Sequence, residues 1–279
     1  MATFGERLYE ATKEHGRLCV GIDPHAALLE QWGLSTDVRG LREFSQRCVE
    51  AFAGRCALVK PQVAFYEAFG SQGFAVLEET IAALREAGTL VLADAKRGDI
   101  GSTMQGYATA WLDPASPLCS DAVTVSPYLG FGSLAPLLQK ANAHDAGVFV
   151  LAATSNPEAR ELQDQRDEHG LSIAQQIVNA VREENAAQHP GRDFGNCGVV
   201  VGATLERAPE MTQLRGPVLL PGVGAQGAGA RDVARLAAGN EALAIPNVSR
   251  AVLKQGPDVD ALSSALRTAA QDYPGIARP

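Results

Sequence analysis

The sequence predicts an α/β protein of one domain, a (β/α)8 TIM barrel that takes up residues 1–279. The chain has 279 residues, and such a barrel uses about 250. Eight short apolar runs recur along it, each closed by a polar or Gly/Pro stop and followed by a helical stretch. Hydrophobic residues make up 46% and charged residues 20%, the balance of a globular chain with a packed core rather than a disordered one.

The runs are Leu18–Ile22, Ala57–Lys60, Leu90–Ala93, Ala122–Val125, Val148–Ala152, Gly198–Val201, Val218–Leu220 and Leu243–Ile245. Their shortness and β-branched content suit strands covered on both faces, as parallel sheets require. Between them, helical spacing takes over. Phe74, Leu77, Ile81 and Leu84 share one helix face, with Glu78, Glu79, Arg85 and Glu86 on the polar side. Leu134, Leu137 and Leu138 begin another helix, whose Pro136 fits only the first turn. Ile173, Ile177 and Val181 mark a third. Strands alternating with helices make right-handed βαβ units, and eight of them point to a closed barrel. The polar connection 155–196 reads as an enlarged βα unit, too poor in apolar residues for a core of its own. Residues 258–272 read as the closing helix, and the Pro-ended tail beyond them should fray.

Composition excludes several classes of partner. The formal net charge is −8, and no Lys/Arg run forms the basic stripe that a nucleic acid needs. The five cysteines are odd in number and widely spaced, so buried thiols are expected rather than disulfides. The first residues lack the apolar stretch of a signal peptide, and no apolar run reaches membrane-spanning length. A cytoplasmic protein is expected, with neither membrane nor nucleic acid as partner. No metal-ligand motif stands out, and His15, His25, His144, His169 and His189 are scattered.

Active sites of such barrels lie at the C-terminal ends of the strands, so the residues that follow each run carry the functional reading. The first run ends Gly21-Ile22-Asp23-Pro24, the second Val59-Lys60-Pro61-Gln62, and the third Ala93-Asp94-Ala95-Lys96-Arg97-Gly98-Asp99. Strand residues two apart share a face. If Leu90 and Leu92 face the barrel interior, Asp94 and Lys96 project into its mouth. With Lys60 and Asp99 they make an array of alternating sign. Flanking carboxylates hold a lysine as ammonium, which suits a proton donor and not a Schiff-base nucleophile. A plain ion-pair network on a loop is the competing reading. Asp23 is either a hydroxyl ligand or the cap of the next helix.

After the seventh run, Gly222-x-Gly224-x-x-Gly227 has the spacing of a dinucleotide fingerprint. That fingerprint belongs to a first βα unit followed by an acid at the next strand end, whereas here the next strand ends in Asn247 and Arg250. A phosphate cup fits better: glycine-rich backbone N–H groups, the Gln226 side chain and the Arg250 guanidinium converge on an anion. A flexible turn is the alternative.

Asp94-Ala95-Lys96-Arg97-Gly98-Asp99-Ile100 resembles the D-x-K-x-x-D signature of the orotidine 5′-phosphate decarboxylase family. Gly21-Ile22-Asp23-Pro24, Val59-Lys60-Pro61 and Pro221-Gly222-Val223-Gly224-Ala225-Gln226-Gly227 fit in the same order, in the manner of the longer-chain bacterial branch (type 2). The resemblance covers essentially the whole barrel. It implies decarboxylation of orotidine 5′-phosphate to UMP and CO2, the last step of de novo pyrimidine nucleotide synthesis, without a cofactor or metal. It implies that Asp23 and Lys60 serve the ribose hydroxyls and the charge network, that Asp94 lies against the substrate carboxylate, and that Lys96 protonates the carbon losing CO2. Asp99 and Thr103 would cross a homodimer interface to complete the neighbour's site. Ser155 would read the pyrimidine, Pro221 would lie near the base, and Gln226 and Arg250 would hold the phosphate. One departure is Ser249 before Arg250, where many relatives carry glycine. Rival readings are a sister barrel that uses the same motif with Mg²⁺ on a sugar phosphate, a catalytically silent nucleotide-binding barrel, and a Schiff-base aldolase.

Overall fold

The computed structural model describes residues 2–224 and 227–276. Its strands are β1 (Cys19–Ile22), β2 (Leu58–Pro61), β3 (Leu90–Arg97), β4 (Ala122–Val125), β5 (Gly147–Ala153), β6 (Cys197–Val201), β7 (Val218–Pro221) and β8 (Ala244–Val248). All pair in parallel with their sequence neighbours, and β8 pairs with β1, so the sheet closes into a barrel in chain order. Each expected run holds a strand. The largest difference is at β3, which runs on to Arg97 because its polar end is still paired with β4, across a register shift between Ala93 and Arg97. Leu243 belongs instead to a 3-10 turn, Glu241–Leu243, that leads into β8.

Helices fill the connections: α1 (Phe4–His15), α2 (Ala26–Gln31), α3 (Val38–Phe52), α4 (Val63–Glu67), α5 (Gly70–Glu86), α6 (Gly101–Leu112), α7 (Ala135–His144), α8 (Arg160–Gln163), α9 (Ile173–Gln188), α10 (Ala230–Leu236), α11 (Arg250–Leu253) and α12 (Val259–Gln271). The apolar spacing of 74–84 lies within α5, with Leu77, Ile81 and Leu84 buried. Pro136 sits in the first turn of α7, and Leu134 closes the 3-10 turn before it. The enlarged unit holds a 3-10 turn, α8, a short antiparallel bridge between Arg166 and Ser172, and α9, whose N-cap is Ser172. The closing helix α12 is capped by the Asp258 carboxylate, which accepts the Ala261 N–H. All five cysteines are buried and free.

Two apolar clusters divide the core. The larger packs the outer face of the barrel against the helices. The smaller fills the inside with Cys19, Leu58, Leu90, Leu92, Ala122, Phe149, Val200, Leu219 and Ile245. Phe4 and Leu8 of α1 plug the bottom of this inner core, Phe4 edge-on to Phe149 at 5.9 Å. Thr3 and Glu6 lock the start of α1 in a reciprocal capping box, which fixes the plug where it enters. The bottom is therefore closed by side chains, and only the C-terminal rim is open to carry a site.

Candidate active site

Each inner-core residue sets the parity of its strand, because side chains two apart share a face. Counting upward in twos gives Asp23 from Cys19, Lys60 and Gln62 from Leu58, and Asp94 and Lys96 from Leu92. The same count gives Thr124 from Ala122, Leu151 from Phe149, Pro221 from Leu219, and Asn247 and Ser249 from Ile245. Apart from the buried Thr124, all of these line one cavity of about 280 Å³ at the C-terminal rim, together with Thr154, Val200, Gly222, Val223 and Arg250. The site is thus the polar continuation of the inner core. Strand parity accounts for most of its side chains, while Thr154 and Arg250 come from the segments that follow β5 and β8.

At its centre, the Asp94 carboxylate accepts four hydrogen bonds. Lys60 Nζ donates to Oδ2 at 2.8 Å and Gln62 Nε2 to the same oxygen at 2.8 Å. Lys96 Nζ donates to Oδ1 at 2.6 Å and Thr124 Oγ1 to the same oxygen at 2.9 Å. Asp94 is 7% exposed and Lys60 4%, while the Lys96 side chain is 45% exposed. Burial pushes the Asp94 carboxyl up, but the Lys60 and Lys96 ammoniums and their hydrogen bonds outweigh it and hold the group well below the usual carboxylate range. Burial likewise pushes Lys60 down, and the Asp94 and Asp23 charges more than reverse this, so its ammonium is held above the ordinary lysine value. A pair this deeply buried is no loop decoration: removing either member would leave a buried charge without its main partner.

Two buried acceptors in the cavity wall have no partner among the described residues, Asp23 Oδ1 and Asn247 Oδ1. A buried polar atom without a hydrogen bond is costly, and these two face a cavity in which a ligand's hydroxyl or N–H would satisfy them. Asp23 does not cap the helix that follows it. The N-cap of α2 is His25, which makes no side-chain cap bond. The helix-cap alternative for Asp23 is therefore not met.

Beyond β8, Arg250 starts α11 and lines the same cavity, and no side-chain hydrogen bond or ion pair ties its guanidinium among the described residues. Gly222, Gly224 and Gly227 adopt φ of 101°, 75° and 93°, a region open to glycine and strained for other residues. The Gly224 N–H donates to Ala228 O at 2.9 Å and the Gly227 N–H to Gly224 O at 3.0 Å, and Gly222 and Val223 line the cavity with Arg250. Gln226 lies outside the described residues.

Asp23, Lys60, Asp94, Lys96, Pro221 and Arg250 therefore share one cavity. Asp99, Thr103 and Ser155 do not line it. The Asp99 Oδ1 accepts the Ile100 N–H at 2.7 Å just ahead of α6, and Thr103 is exposed on the first turn of that helix. Ser155 packs against Gly202, where an added Cβ would lie 2.8 Å from the Ser155 Cβ; its neighbour Thr154 faces the cavity instead. Sequence reasoning gave no role to Gln62, Thr124, Asn247 or Ser249. Parity was the available signal for all four, since each lies an even number of residues from an inner apolar one. A larger cavity of about 460 Å³ lies under the enlarged unit and shares only Thr154 with this one. Its charged lining is Arg160, Asp164, Arg166, Glu206 and Arg207, without the buried lysine–carboxylate pair that marks the smaller cavity as the candidate.

Comparison with known proteins agrees with this geometry. The sequence model described as "Orotidine 5'-phosphate decarboxylase / HUMPS family" matches residues 16–265. The chain is similar to the orotidine 5′-phosphate decarboxylase of Corynebacterium efficiens, with 64% identity over 276 residues, 99% of each chain. It is similar to that of Salinispora tropica at 53% identity over 266 residues, 95% of each. A crystal structure from Streptomyces avermitilis superposes with a TM-score of 0.93 at 50% identity, covering 98% of this chain and 95% of that one.

Proposed function

The chain belongs to the orotidine 5′-phosphate decarboxylase / HUMPS family, and we propose that it converts orotidine 5′-phosphate to UMP and CO2, the last step of de novo pyrimidine nucleotide synthesis. The family acts in pyrimidine biosynthesis, and the chain is an enzyme of the carboxy-lyase class that uses no cofactor. The observation that carries the finer reading is the array Lys60–Asp94–Lys96 facing Arg250 across one cavity.

In this reading Arg250 grips the phosphate with its guanidinium fork, helped by Gln226 and by backbone N–H groups of the glycine loop. Asp23 accepts a ribose hydroxyl and Lys60 donates to the ribose. Pro221 lies against the base, and the pyrimidine role of Ser155 rests on the family resemblance alone, since Ser155 packs on Gly202 beside the cavity. The substrate carboxylate then lies against Asp94. When the C–CO2 bond breaks, its electron pair stays on the ring carbon, where no conjugated sink exists. The Lys96 ammonium stabilises that developing charge and transfers a proton to the carbon, leaving a neutral amine that solvent reprotonates. Phosphate contacts remote from the reacting carbon supply binding energy that holds this arrangement.

We read the enzyme as a homodimer with sites at the interface. Asp99 and Thr103 lie outside this chain's own cavity, and exposed Ile100, Tyr128 and Leu129 (62%, 76% and 54%) follow β3 and β4 at the same rim. An apolar surface of that kind beside two unassigned polar residues suits a second copy. A cytoplasmic location fits this biosynthetic role; among the described residues no helix is long and apolar enough to cross a membrane.

The test is loss of orotidine 5′-phosphate absorbance with purified protein, with and without chelator. Equal turnover in both is expected, together with loss of turnover in Lys96→Ala that leaves UMP binding intact. UMP binding by the wild-type chain without CO2 release would favour the silent barrel. Loss of activity in chelator would favour the Mg²⁺-dependent sister enzyme.

A further inference from the structure

Lys96 has a backbone φ of +48°, in the left-handed region that residues with a side chain rarely adopt. It lies within β3, where pairing with β4 shifts register between Ala93 and Arg97. Left-handed backbone at a non-glycine residue persists only where its surroundings hold it. Here the hold is identifiable. The Lys96 N–H donates to Thr124 Oγ1 at 2.9 Å, and the same hydroxyl donates its proton to Asp94 Oδ1 at 2.9 Å. Thr124 is 1% exposed and reaches this point by the inward parity of β4.

One hydroxyl thus accepts from the backbone of Lys96 and donates to the carboxylate that receives the Lys96 ammonium. The three groups close a ring in which the start and the end of the lysine are tied to the same two neighbours. Removing the hydroxyl frees the Lys96 N–H and one acceptor position of Asp94 together. The backbone can then relax toward the extended region, and this re-aims the Cα–Cβ bond and with it the ammonium.

We propose that Thr124 is a positioning residue of the decarboxylation: its hydroxyl holds the left-handed backbone of Lys96 and the Asp94 carboxylate as one unit, so that the ammonium stays aimed at the reacting carbon. Thr124 does not line the cavity and acts only through its two partners. The inference rests on the reading of the reaction given above.

The experiment compares wild type, Thr124→Val and Thr124→Ser in steady-state turnover of orotidine 5′-phosphate, with UMP affinity measured by calorimetry. Thr124→Val keeps the shape and removes the hydroxyl; a misaimed reacting group costs up to about 100-fold, so kcat is expected to fall by about 10- to 100-fold. KM and UMP affinity should stay within about threefold, because no substrate contact is lost. Thr124→Ser restores the hydroxyl and is expected to recover most of kcat. The proposal is overturned if Thr124→Val keeps the wild-type kcat, if the loss falls on KM and UMP affinity, or if the serine variant is no better than valine. Should the valine variant fail to fold, Thr124→Ala is read by the same criteria against Thr124→Ser. An inactive wild-type chain would instead sink the reading of the reaction, a result separable from any of these.

Discussion

Replacing Asp94 by asparagine keeps the shape of the side chain and removes one charge from a point where two ammoniums and two neutral donors converge. Of the two ammoniums, Lys60 suffers more. It is buried to 4% and cannot reach water, whereas the 45% exposed Lys96 can turn outward. Breaking a buried pair by removing one partner costs about 3–5 kcal/mol. The Asp23 charge still faces Lys60, which argues for the lower end, about 3 kcal/mol. The exposed Lys96 pair adds at most about 1 kcal/mol after solvent screening. At about 2.1 cal/mol/K per residue, unfolding this chain carries an entropy of about 0.6 kcal/mol/K, so a loss of about 3 kcal/mol lowers Tm by about 5 °C. Scanning calorimetry of wild type, Asp94→Asn and the double variant Lys60→Met/Asp94→Asn reads this directly. The double variant no longer buries an unpaired charge and should regain most of the lost Tm. An Asp94→Asn variant melting within about 1 °C of wild type, or a double variant no more stable than the single, would refute the claim that Lys60 depends on Asp94.

The same pair sets a pH dependence. The folded Asp94 is depressed, so its stabilisation is complete above the unfolded carboxyl value of about 3.9 and is lost as pH falls below that toward the folded value. Lys60 is raised, so its share is complete below about 10.4 and is lost as pH rises through the folded value. The Tm gap between wild type and Asp94→Asn should therefore stay level from about pH 5 to 9 and shrink below about 4; a gap that grew in acid would contradict the assignment. Arg250→Ala removes a charge-assisted grip worth about 1.5–3 kcal/mol and should lower kcat/KM for orotidine 5′-phosphate by about 10- to 100-fold, while turnover of orotidine, which lacks the phosphate, changes little. Reassembled hybrids of inactive Asp99→Ala and inactive Lys96→Ala should regain activity if sites are shared across a dimer, and absence of rescue would count against that arrangement. In Gly21→Ala the added Cβ would meet Ser249 Oγ at 2.0 Å; displacement of the β8 end should weaken substrate binding, and unchanged kinetics would show that Ser249 moves freely.

Much of this was legible in the residues because a barrel makes strand parity do the aiming. Once Leu90 and Leu92 face inward, Asp94 and Lys96 must do so too, and both are found there. The same rule applied to Ala122 would have exposed Thr124, a polar residue inside a run of apolar neighbours that reads as core on composition alone. Loops offered no such rule. Ser155 and Thr154 are adjacent, and it takes the folded surroundings, with Ser155 packed on Gly202 and Thr154 bonded to Gln163, to show which of them lines the cavity. Strain was equally hidden, since no local signal marks Lys96 as left-handed; it lies where the pairing of β3 with β4 shifts register, which shows only once the two strands are paired. The start of β8 slipped by one residue because the 3-10 turn before it buries Leu243 as deeply as a strand would.

The structure also gives physical grounds for the different roles that the sequence reading assigned to the two lysines. Both donate to Asp94, at 2.8 Å and 2.6 Å, and both carry the charge that a carbanion would need. Lys60 reaches the cavity wall almost wholly buried, and the charges around it hold its proton more tightly than usual; a group so stabilised as ammonium is a poor acid and a good fixed charge. Lys96 reaches the open cavity on a half-exposed side chain, where a departing proton can be replaced from solvent. A donor must release its proton in the transition state and recover it afterwards, which supports the proposed assignment of Lys96 over Lys60. In that proposal Lys60 is the counterion that keeps Asp94 ionised while Lys96 turns over. On this account Lys60→Ala should damage the charge of the site, lowering both stability and turnover, whereas Lys96→Ala should abolish turnover with a Tm within about 2 °C of wild type. The reverse pattern in a paired melting and turnover assay would exchange the two roles.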